Sequence, residues 1–273
     1  MRIKYILLLV FVPVLFACSS QVQDPKKDNW DQYRDNASIT IGFDNSFVPM
    51  GFEQADGSYA GFDVDLSNAL FEEYGIKVKW QPIDWDMKER ELKNGTIDLI
   101  WNGYSKTEER SKEVAFSMPY MENQQVLISQ KVRNITSLEG MRLGAQIGSS
   151  GYLDFEDQPK LLKNLVRDHK ATQYQSFNEA FVDLSNQRID LLLIDRVYAN
   201  YYLKEKGVLE TYRIDKAPFA SESFAIGMRK TDNHLREKID QGLKKLYKTG
   251  EFQKISDKWF GQDVATKEVK GNS

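Results

Sequence analysis

Two series of alternating strand-like and helix-like segments constrain the fold of this chain more than any other feature. In the first series, β-rich runs at residues 39–43 and 77–80 flank residues 63–74, whose apolar side chains recur at helical spacing after an expected N-cap at Asp63. In the second, the runs 142–145 and 190–194 enclose further helical segments. Strands separated by helices form parallel sheets that are covered on both faces. The pattern predicts an α/β protein with two similar lobes.

The order of segments also indicates how the chain passes between the lobes. We expect it to leave lobe 1 near residues 126–129 and to return near residues 220–224, which gives two crossover strands with a cleft between the lobes. A helix is expected over most of residues 149–163, and a frayed end over residues 264–273. The predicted divisions are a signal segment, a linker, a discontinuous lobe 1 and a continuous lobe 2, at residues 1–17, 18–36, 37–127 with 222–273, and 128–221.

The N-terminus predicts export. Arg2 and Lys4 precede an apolar run at residues 6–16, which is too short to span a bilayer and has the proportions of a signal-peptide core. The run ends at Ala17 and Cys18, and a small residue before a cysteine resembles a bacterial lipobox, in which the cysteine is lipidated. The alternative is an ordinary secretory signal with a chance cysteine. The polar residues that follow indicate a tether whose second half forms a short helix on the folded body.

Composition excludes several classes of protein. Cys18 is the only cysteine, so the exported fold is held by core burial without disulfides. The 37 basic and 40 acidic residues nearly balance and form no basic block, which argues against a nucleic-acid partner. One cysteine and two scattered histidines, His169 and His234, make no metal site, and no phosphate-binding glycine loop is present. No cofactor is expected.

Short strings along the chain then identify a family. The distinctive example is Gly-Phe-Asp-Val-Asp-Leu at residues 61–66. The others follow in order: residues 42–44 with Phe47 and Pro49, 95–100, 102–110, 116–120, 144–150, 190–195, 250–252 and 258–261. Together they resemble the family 3 solute-binding proteins, the polar-amino-acid receptors of ABC importers. The resemblance implies the type II periplasmic-binding fold, with two α/β lobes joined by two crossover strands around a ligand cleft.

A free amino acid must be bound through both charged groups of its head, since each is costly to bury unpaired. The planar guanidinium of Arg110 suits a carboxylate, and the resemblance gives Arg110 that role; the alternative is a solvated arginine among charged neighbours. Backbone N–H groups of the turn at Gly148 favour an anion at the start of a helix. The resemblance makes Ser150 a ligand contact there, while either Ser149 or Ser150 can instead serve as a simple N-cap.

The ammonium end is assigned to a buried acid. The resemblance pairs the ligand's α-ammonium with Asp195, which follows an apolar strand and could otherwise cap the next helix. Gly103 is expected to add a backbone carbonyl and Ser105 a hydroxyl to the same ammonium.

The rest of the pocket selects the ligand's side chain. Phe47, Trp85 and Tyr104 are expected as apolar walls, although each could equally be core. Asp44 corresponds to a family position at the distal polar end of the ligand, and Gln146 can add an amide contact there. These residues favour glutamine, a basic amino acid or cystine, and disfavour an acidic ligand.

The resulting prediction is a non-enzymatic, monomeric binding lipoprotein, anchored only through its lipid to the outer face of a single-membrane bacterium. It closes its lobes on an amino acid and delivers it to the membrane permease of an ABC importer. One alternative is a small dehydratase on the same fold, acting on prephenate-like carboxylates. Another is an adhesin or sensor that uses the fold without transport.

Overall fold

Residues 27–271 are described by the computed structural model, and they contain fifteen strands and ten helices. The predicted signal segment, Cys18 and the first part of the linker lie outside these residues. The strands are β1 (Ser38–Phe43), β2 (Ser46–Phe47), β3 (Gly51–Glu53), β4 (Tyr59–Ala60), β5 (Lys77–Pro82), β6 (Leu99–Ile100), β7 (Ala115–Phe116), β8 (Met121–Asn123), β9 (Gln125–Gln130), β10 (Leu143–Gln146), β11 (Ala171–Tyr174), β12 (Leu191–Asp195), β13 (Tyr212–Lys216), β14 (Glu222–Phe224) and β15 (Gly227–Met228). The helices are α1 (Trp30–Asp35), α2 (Phe62–Glu72), α3 (Lys88–Asn94), α4 (Glu108–Ser111), α5 (Ser150–Asp157), α6 (Phe177–Ser185), α7 (Arg196–Glu205), α8 (Asn233–Thr249), α9 (Glu251–Phe260) and α10 (Lys267–Lys270).

Two five-stranded sheets form the centres of two lobes. Their strand orders are β5-β1-β6-β15-β7 and β11-β10-β12-β9-β13. In each sheet three strands are parallel, and the fourth strand in the order pairs antiparallel with both of its neighbours. The sheets are therefore mixed, where the sequence pattern predicted parallel ones. In each lobe the antiparallel strand is the one that follows a crossover, since β9 comes after β8 and β15 comes after β14.

The central strand β12 of lobe 2 is covered on both faces. Its consecutive residues Leu192, Leu193 and Ile194 are all buried. Parallel strands between two layers of helix have no solvent face, so continuous apolar runs are expected there. The two lobes predicted from the alternating segments are present.

The two crossover strands pair with each other. β8 and β14 form a two-stranded antiparallel sheet in which Asn123 lies opposite Glu222. The chain enters the second sheet at Gln125, so the expected departure near residues 126–129 and the predicted lobe boundary at residue 127 both fall inside β9. The difference arises because only Gln124 separates β8 from β9, so no turn in the sequence marks the point at which the chain enters the second sheet.

Three local expectations were wrong. The helix expected over residues 149–163 ends at Asp157, and a series of turns follows. Residues 264–271, which were expected to be frayed, include an ordered helix: Thr266 caps α10, and Val269 is buried. Asp63 does not cap α2, whose N-cap is Gly61; its carboxylate accepts hydrogen bonds inside lobe 1 instead.

The second half of the predicted linker packs on lobe 1. Helix α1 buries Tyr33, whose hydroxyl donates to Asp98 at 3.1 Å. Arg229 donates to the same hydroxyl and to Asp98, which closes a buried network between α1 and the sheet. Within residues 27–271, none of the helices combines the length and the apolar character that crossing a bilayer would require.

Candidate ligand-binding site

The cleft between the lobes is closed by hydrogen bonds that cross it. Gln146 of lobe 2 donates to Asp44 of lobe 1 at 2.7 Å. The hydroxyls of Ser105 and Ser150 lie 3.1 Å apart, one from each lobe. Behind them, Phe47 of lobe 1 packs on Phe177 of lobe 2 with ring centroids 5.9 Å apart. The structure is therefore that of the closed arrangement.

Only a small cavity, of about 10 Å³, remains inside this cleft. It is lined by Asp44, Phe47, Trp85, Asn102, Gly103, Ser105, Arg110, Gln146, Ser149, Ser150 and Asp195. Most of the residues singled out from the sequence thus meet at one place, although they come from both lobes. Asn102 and Ser149 also line the cavity but were not among the predicted site residues.

Arg110 forms the cationic side of the cavity. It lies on α4, a single turn that begins after Thr107, whose hydroxyl accepts the Arg110 backbone N–H. The guanidinium donates to the carbonyls of Ser105 and Gly148, each at 2.9 Å, and lies 4.5 Å from the Tyr104 ring centroid. The alternative of a solvated arginine is wrong, because the residue is only 5% exposed. Its Nε is buried without a hydrogen-bond partner.

Tyr104 and Gly148 support the site from behind the cavity wall. Tyr104 is fully buried beneath the Arg110 guanidinium and donates its hydroxyl to Glu89 at 2.8 Å. Tyr104 is therefore a core residue, which was the alternative expectation for this aromatic side chain. The Gly148 carbonyl accepts from Arg110 and from Lys88, so this turn holds two cations of lobe 1 against lobe 2.

Lys88 is a buried cation that the sequence analysis did not identify. Its Nζ donates to the carbonyls of Trp85 and Gly148 at 2.8 and 3.0 Å, and Glu89 lies 3.3 Å away. Burial, with the nearby charge of Arg110, lowers the pKa of the Lys88 ammonium to about 7. Its place in a charged helical segment gave no signal of this, because surface lysines have the same sequence context.

Asp195 forms the acidic side together with residues of the crossover. Its Oδ1 accepts the side-chain amides of Asn123 at 2.5 Å and Gln125 at 2.8 Å. It makes no capping hydrogen bond to α7, so the capping alternative is wrong. Burial, and next the charge of Glu222, raise the pKa of the Asp195 carboxyl to about 7.

Three polar residues of the crossover region were missed in the sequence analysis. Asn123, Gln125 and Glu222 lie on β8, β9 and β14, where the two strands that join the lobes meet the cleft. No motif marks them, and Glu222 is separated from Asn123 by 99 positions in the chain although the two are paired in register. Only the pairing of the crossover strands brings them to Asp195.

Asp44 and Gln146 define the other end of the cavity. Asp44 is buried, and its Oδ1 accepts the backbone N–H and the hydroxyl of Ser46. Burial raises the pKa of the Asp44 carboxyl, although the hydrogen bonds from Ser46 and Gln146 oppose the effect. Phe47 and Trp85 are buried on the cavity wall, so both apolar-wall residues lie where they were expected.

Gly103 and the serines complete the lining. Gly103 has a φ of +57°, and a Cβ there would lie 2.7 Å from Cε1 of Phe47. Ser149 is the N-cap of α5, since its hydroxyl accepts the backbone N–H of Tyr152. Ser150 is thereby left to face the cleft, as the resemblance implied. Among residues 27–271, no group of acidic, histidine or cysteine side chains has an arrangement that could hold a metal ion.

Comparisons with known proteins agree with this geometry. The family model for bacterial extracellular solute-binding proteins, family 3, matches residues 39–262. The ABC transporter arginine-binding protein 1 of Escherichia coli (strain K12) is 31% identical over 229 residues, which cover 82% of this chain and 91% of that protein. The ABC transporter glutamine-binding protein GlnH of Bacillus subtilis (strain 168) is 28% identical over 271 residues, covering 94% and 96%.

A solved structure is more similar still. An ABC uptake transporter substrate-binding protein from Streptococcus pneumoniae, with bound histidine, is 61% identical and superposes with a TM-score of 0.86. The match covers 88% of this chain and 98% of that one. The predicted fold, two α/β lobes of the type II periplasmic-binding class, is confirmed.

Proposed function

The chain belongs to the bacterial extracellular solute-binding proteins, family 3, and we propose that it captures a polar L-amino acid for an ABC importer. The ligand is glutamine, a basic amino acid or cystine, held between the closed lobes. The relatives described above support this proposal, because they are amino-acid-binding proteins of ABC transporters. Their ligands, arginine, glutamine and histidine, are all polar.

The observation that carries the proposal is a buried cation and a buried acid that line one cavity from the two lobes. Arg110 of lobe 1 and Asp195 of lobe 2 are each only 5% exposed, and both side chains line the cavity. A zwitterion offers a carboxylate to the first and an ammonium to the second. The site therefore matches the head of an amino acid at both ends.

Asp44 and Gln146 account for the selection of a polar side chain. The Asp44 carboxylate is an acceptor in a buried place, so it favours a ligand that ends in an amide, an ammonium or a guanidinium. Gln146 already donates to Asp44 and spans the cleft. An acidic side chain would meet a second carboxylate there, which disfavours glutamate.

Lobe closure couples binding to delivery. Arg110 and Ser105 belong to lobe 1, whereas Ser150 and Asp195 belong to lobe 2. A ligand that touches all of them binds the closed arrangement better than the open one and shifts the population toward it. The permease of the importer can then distinguish loaded from empty protein by shape.

The test is a thermal-shift screen of the chain from Lys27 onward, unfolded and refolded to remove carried-over ligand, against the amino acids and L-cystine. We expect a selective rise in Tm for one polar amino acid. R110A and D195N should each abolish the shift, because each leaves one charge of the ligand buried without its partner. R213A, which removes an exposed arginine of lobe 2, serves as the matched control. The absence of a shift with every amino acid would contradict the proposal.

We further propose that Cys18 is lipidated and that residues from Ser19 onward tether the binding domain to the outer face of the cell membrane. The small residue before Cys18 and the apolar run that precedes it support this. Mass spectrometry of the N-terminal peptide from cell membranes should find a diacylglyceryl group on Cys18, and C18A should remove it. An unmodified Cys18 would indicate an ordinary secretory signal.

A further inference from the structure

Glu222 enters the ligand site from the crossover strand β14 rather than from either lobe. Its Oε2 accepts the hydroxyls of Ser105 and Ser150, the latter at 2.9 Å. The side-chain amide of Gln125 donates to the same oxygen at 3.4 Å. The other oxygen, Oε1, is buried and has no hydrogen-bond partner among the described residues. An unpaired carboxylate oxygen thus lies next to two serines that line the cavity.

Glu222 and Asp195 share a donor and form one acidic centre. The amide nitrogen of Gln125 donates to Asp195 at 2.8 Å as well as to Glu222, so the two carboxylates lie on either side of one amide. Asp154 of α5 also faces them: burial, followed by the charge of Glu222, raises the pKa of its carboxyl to about 6. The charge of Arg110 opposes this effect at both Asp154 and Asp195. The acids outnumber that cation on this side of the cavity.

We propose that Glu222 is a second carboxylate for the ligand's α-ammonium, acting with Asp195, and that the ammonium takes the place of a proton held by this acidic centre. The inference rests on the proposed function and deepens it. It assigns the unpaired Oε1 a ligand contact that neither lobe supplies.

The hydroxyls support this assignment. Ser105 and Ser150 both donate their hydrogens to Glu222, so their lone pairs are what they can offer to a further group. Lone pairs accept from an ammonium and repel a carboxylate. Ser150 was expected from the resemblance as a ligand contact beside the carboxylate, and with Glu222 in place its hydroxyl favours the ammonium side instead.

The Asp195 carboxyl holds the proton. Burial, and next the charge of Glu222, raise its pKa to about 7, so a proton is retained there near neutral pH. The arriving ammonium supplies the missing positive charge, and the proton leaves to solvent. Affinity should therefore increase as the pH rises through about 7 and level off above it.

The experiment is isothermal titration of the chain from Lys27 onward with L-arginine, L-glutamine and L-histidine at pH 6 and pH 8. Each titration is run in two buffers of different ionisation enthalpy to count protons. For the wild type, we expect affinity to be about tenfold weaker at pH 6, which corresponds to one pKa unit below 7. E222Q should bind about tenfold or more weakly at pH 8, because a charged partner is lost. Its pH dependence should shrink to less than about threefold.

Two comparisons isolate the effect. The readout is the difference in pH dependence between wild type and E222Q, because two other groups also titrate near neutral pH. Lys88 would take up a proton when a ligand carboxylate binds nearby. The imidazole of the ligand L-histidine titrates equally with both proteins. E122Q, which changes an exposed glutamate on the facing strand β8, should behave as wild type. Melting of ligand-free E222Q checks that the variant is folded.

Each outcome separates the inference from the function on which it rests. Affinity and proton count in E222Q equal to those of the wild type would overturn the role of Glu222 and leave the amino-acid-binding function intact. Tighter binding by E222Q would also overturn it, because Glu222 would then be occupying the ligand's place. A wild-type protein that binds none of the three would overturn both.

Discussion

At the scale of single residues, the site is built from backbone geometry as much as from charge. Gly103, Tyr104 and Ser105 are consecutive, and the left-handed backbone of Gly103, with a φ of +57°, turns the chain here. Gly103 and Ser105 line the cavity, whereas Tyr104 lies outside it and packs under Arg110. The sequence indicated all three as site residues but could not say which of them would point outward.

Gly103 itself gives a residue-scale prediction. G103A should lower the free energy of unfolding by more than G57A does, by at least about 1 kcal/mol. Both glycines have positive φ, at +57° and +81°, so both substitutions strain the backbone. Only at Gly103 would the new Cβ also meet Phe47, at 2.7 Å, whereas nothing lies within 4 Å at Gly57. Urea unfolding of the two variants gives the comparison. Equal losses would show that the ring moves aside freely.

At the scale of elements, α1 belongs to the folded body, as expected for the second half of the linker. Tyr33 is 1% exposed and shares hydrogen bonds with Asp98 and Arg229. Asn29 adds two more hydrogen bonds, both to Asp232. A buried arginine between two aspartates is stable only while its partners are in place. The segment before β1 is thus an integral part of lobe 1 and stabilises it.

We therefore expect a chain that begins at Ala37 to be much less stable than one that begins at Lys27. Loss of a buried aromatic side chain costs roughly 3–5 kcal/mol, and 1 kcal/mol corresponds to about 2–4 °C at this length. The shorter chain should melt at least about 6 °C lower without ligand, as measured by differential scanning calorimetry. Y33F, which keeps the ring and removes only the hydroxyl, should lie between the two. Equal melting temperatures would show that α1 does not stabilise lobe 1.

At the scale of the whole molecule, the closed arrangement has its own stabilising contacts outside the cavity. Phe47 of lobe 1 packs on Phe177 and Tyr198 of lobe 2, with centroids 5.9 and 5.6 Å apart. Such aromatic pairs contribute roughly 0.5–1.5 kcal/mol beyond the area they bury. Contacts made only when the lobes are together favour closure and so raise apparent affinity.

F177L should consequently weaken ligand binding by about three- to tenfold, although Phe177 does not line the cavity. The matched control is F155L, which changes a buried phenylalanine on α5 within the core of lobe 2. Titration calorimetry with the amino acid found in the screen measures both variants. An equal effect of the two substitutions would mean that general loosening of lobe 2, and not closure, accounts for the change.

The sequence by itself determined the alternation of strand and helix, the two lobes and most of the residues that line the cavity. It did so because these depend on local periodicity and on motifs whose residues are close in the chain. The tertiary structure alone decided that β9 starts at Gln125 and that Lys88 is buried. It also decided that Glu222 meets Asp195. These features depend on pairing between segments far apart in the chain, where the cost of burying a charge is set by neighbours that no local pattern reveals.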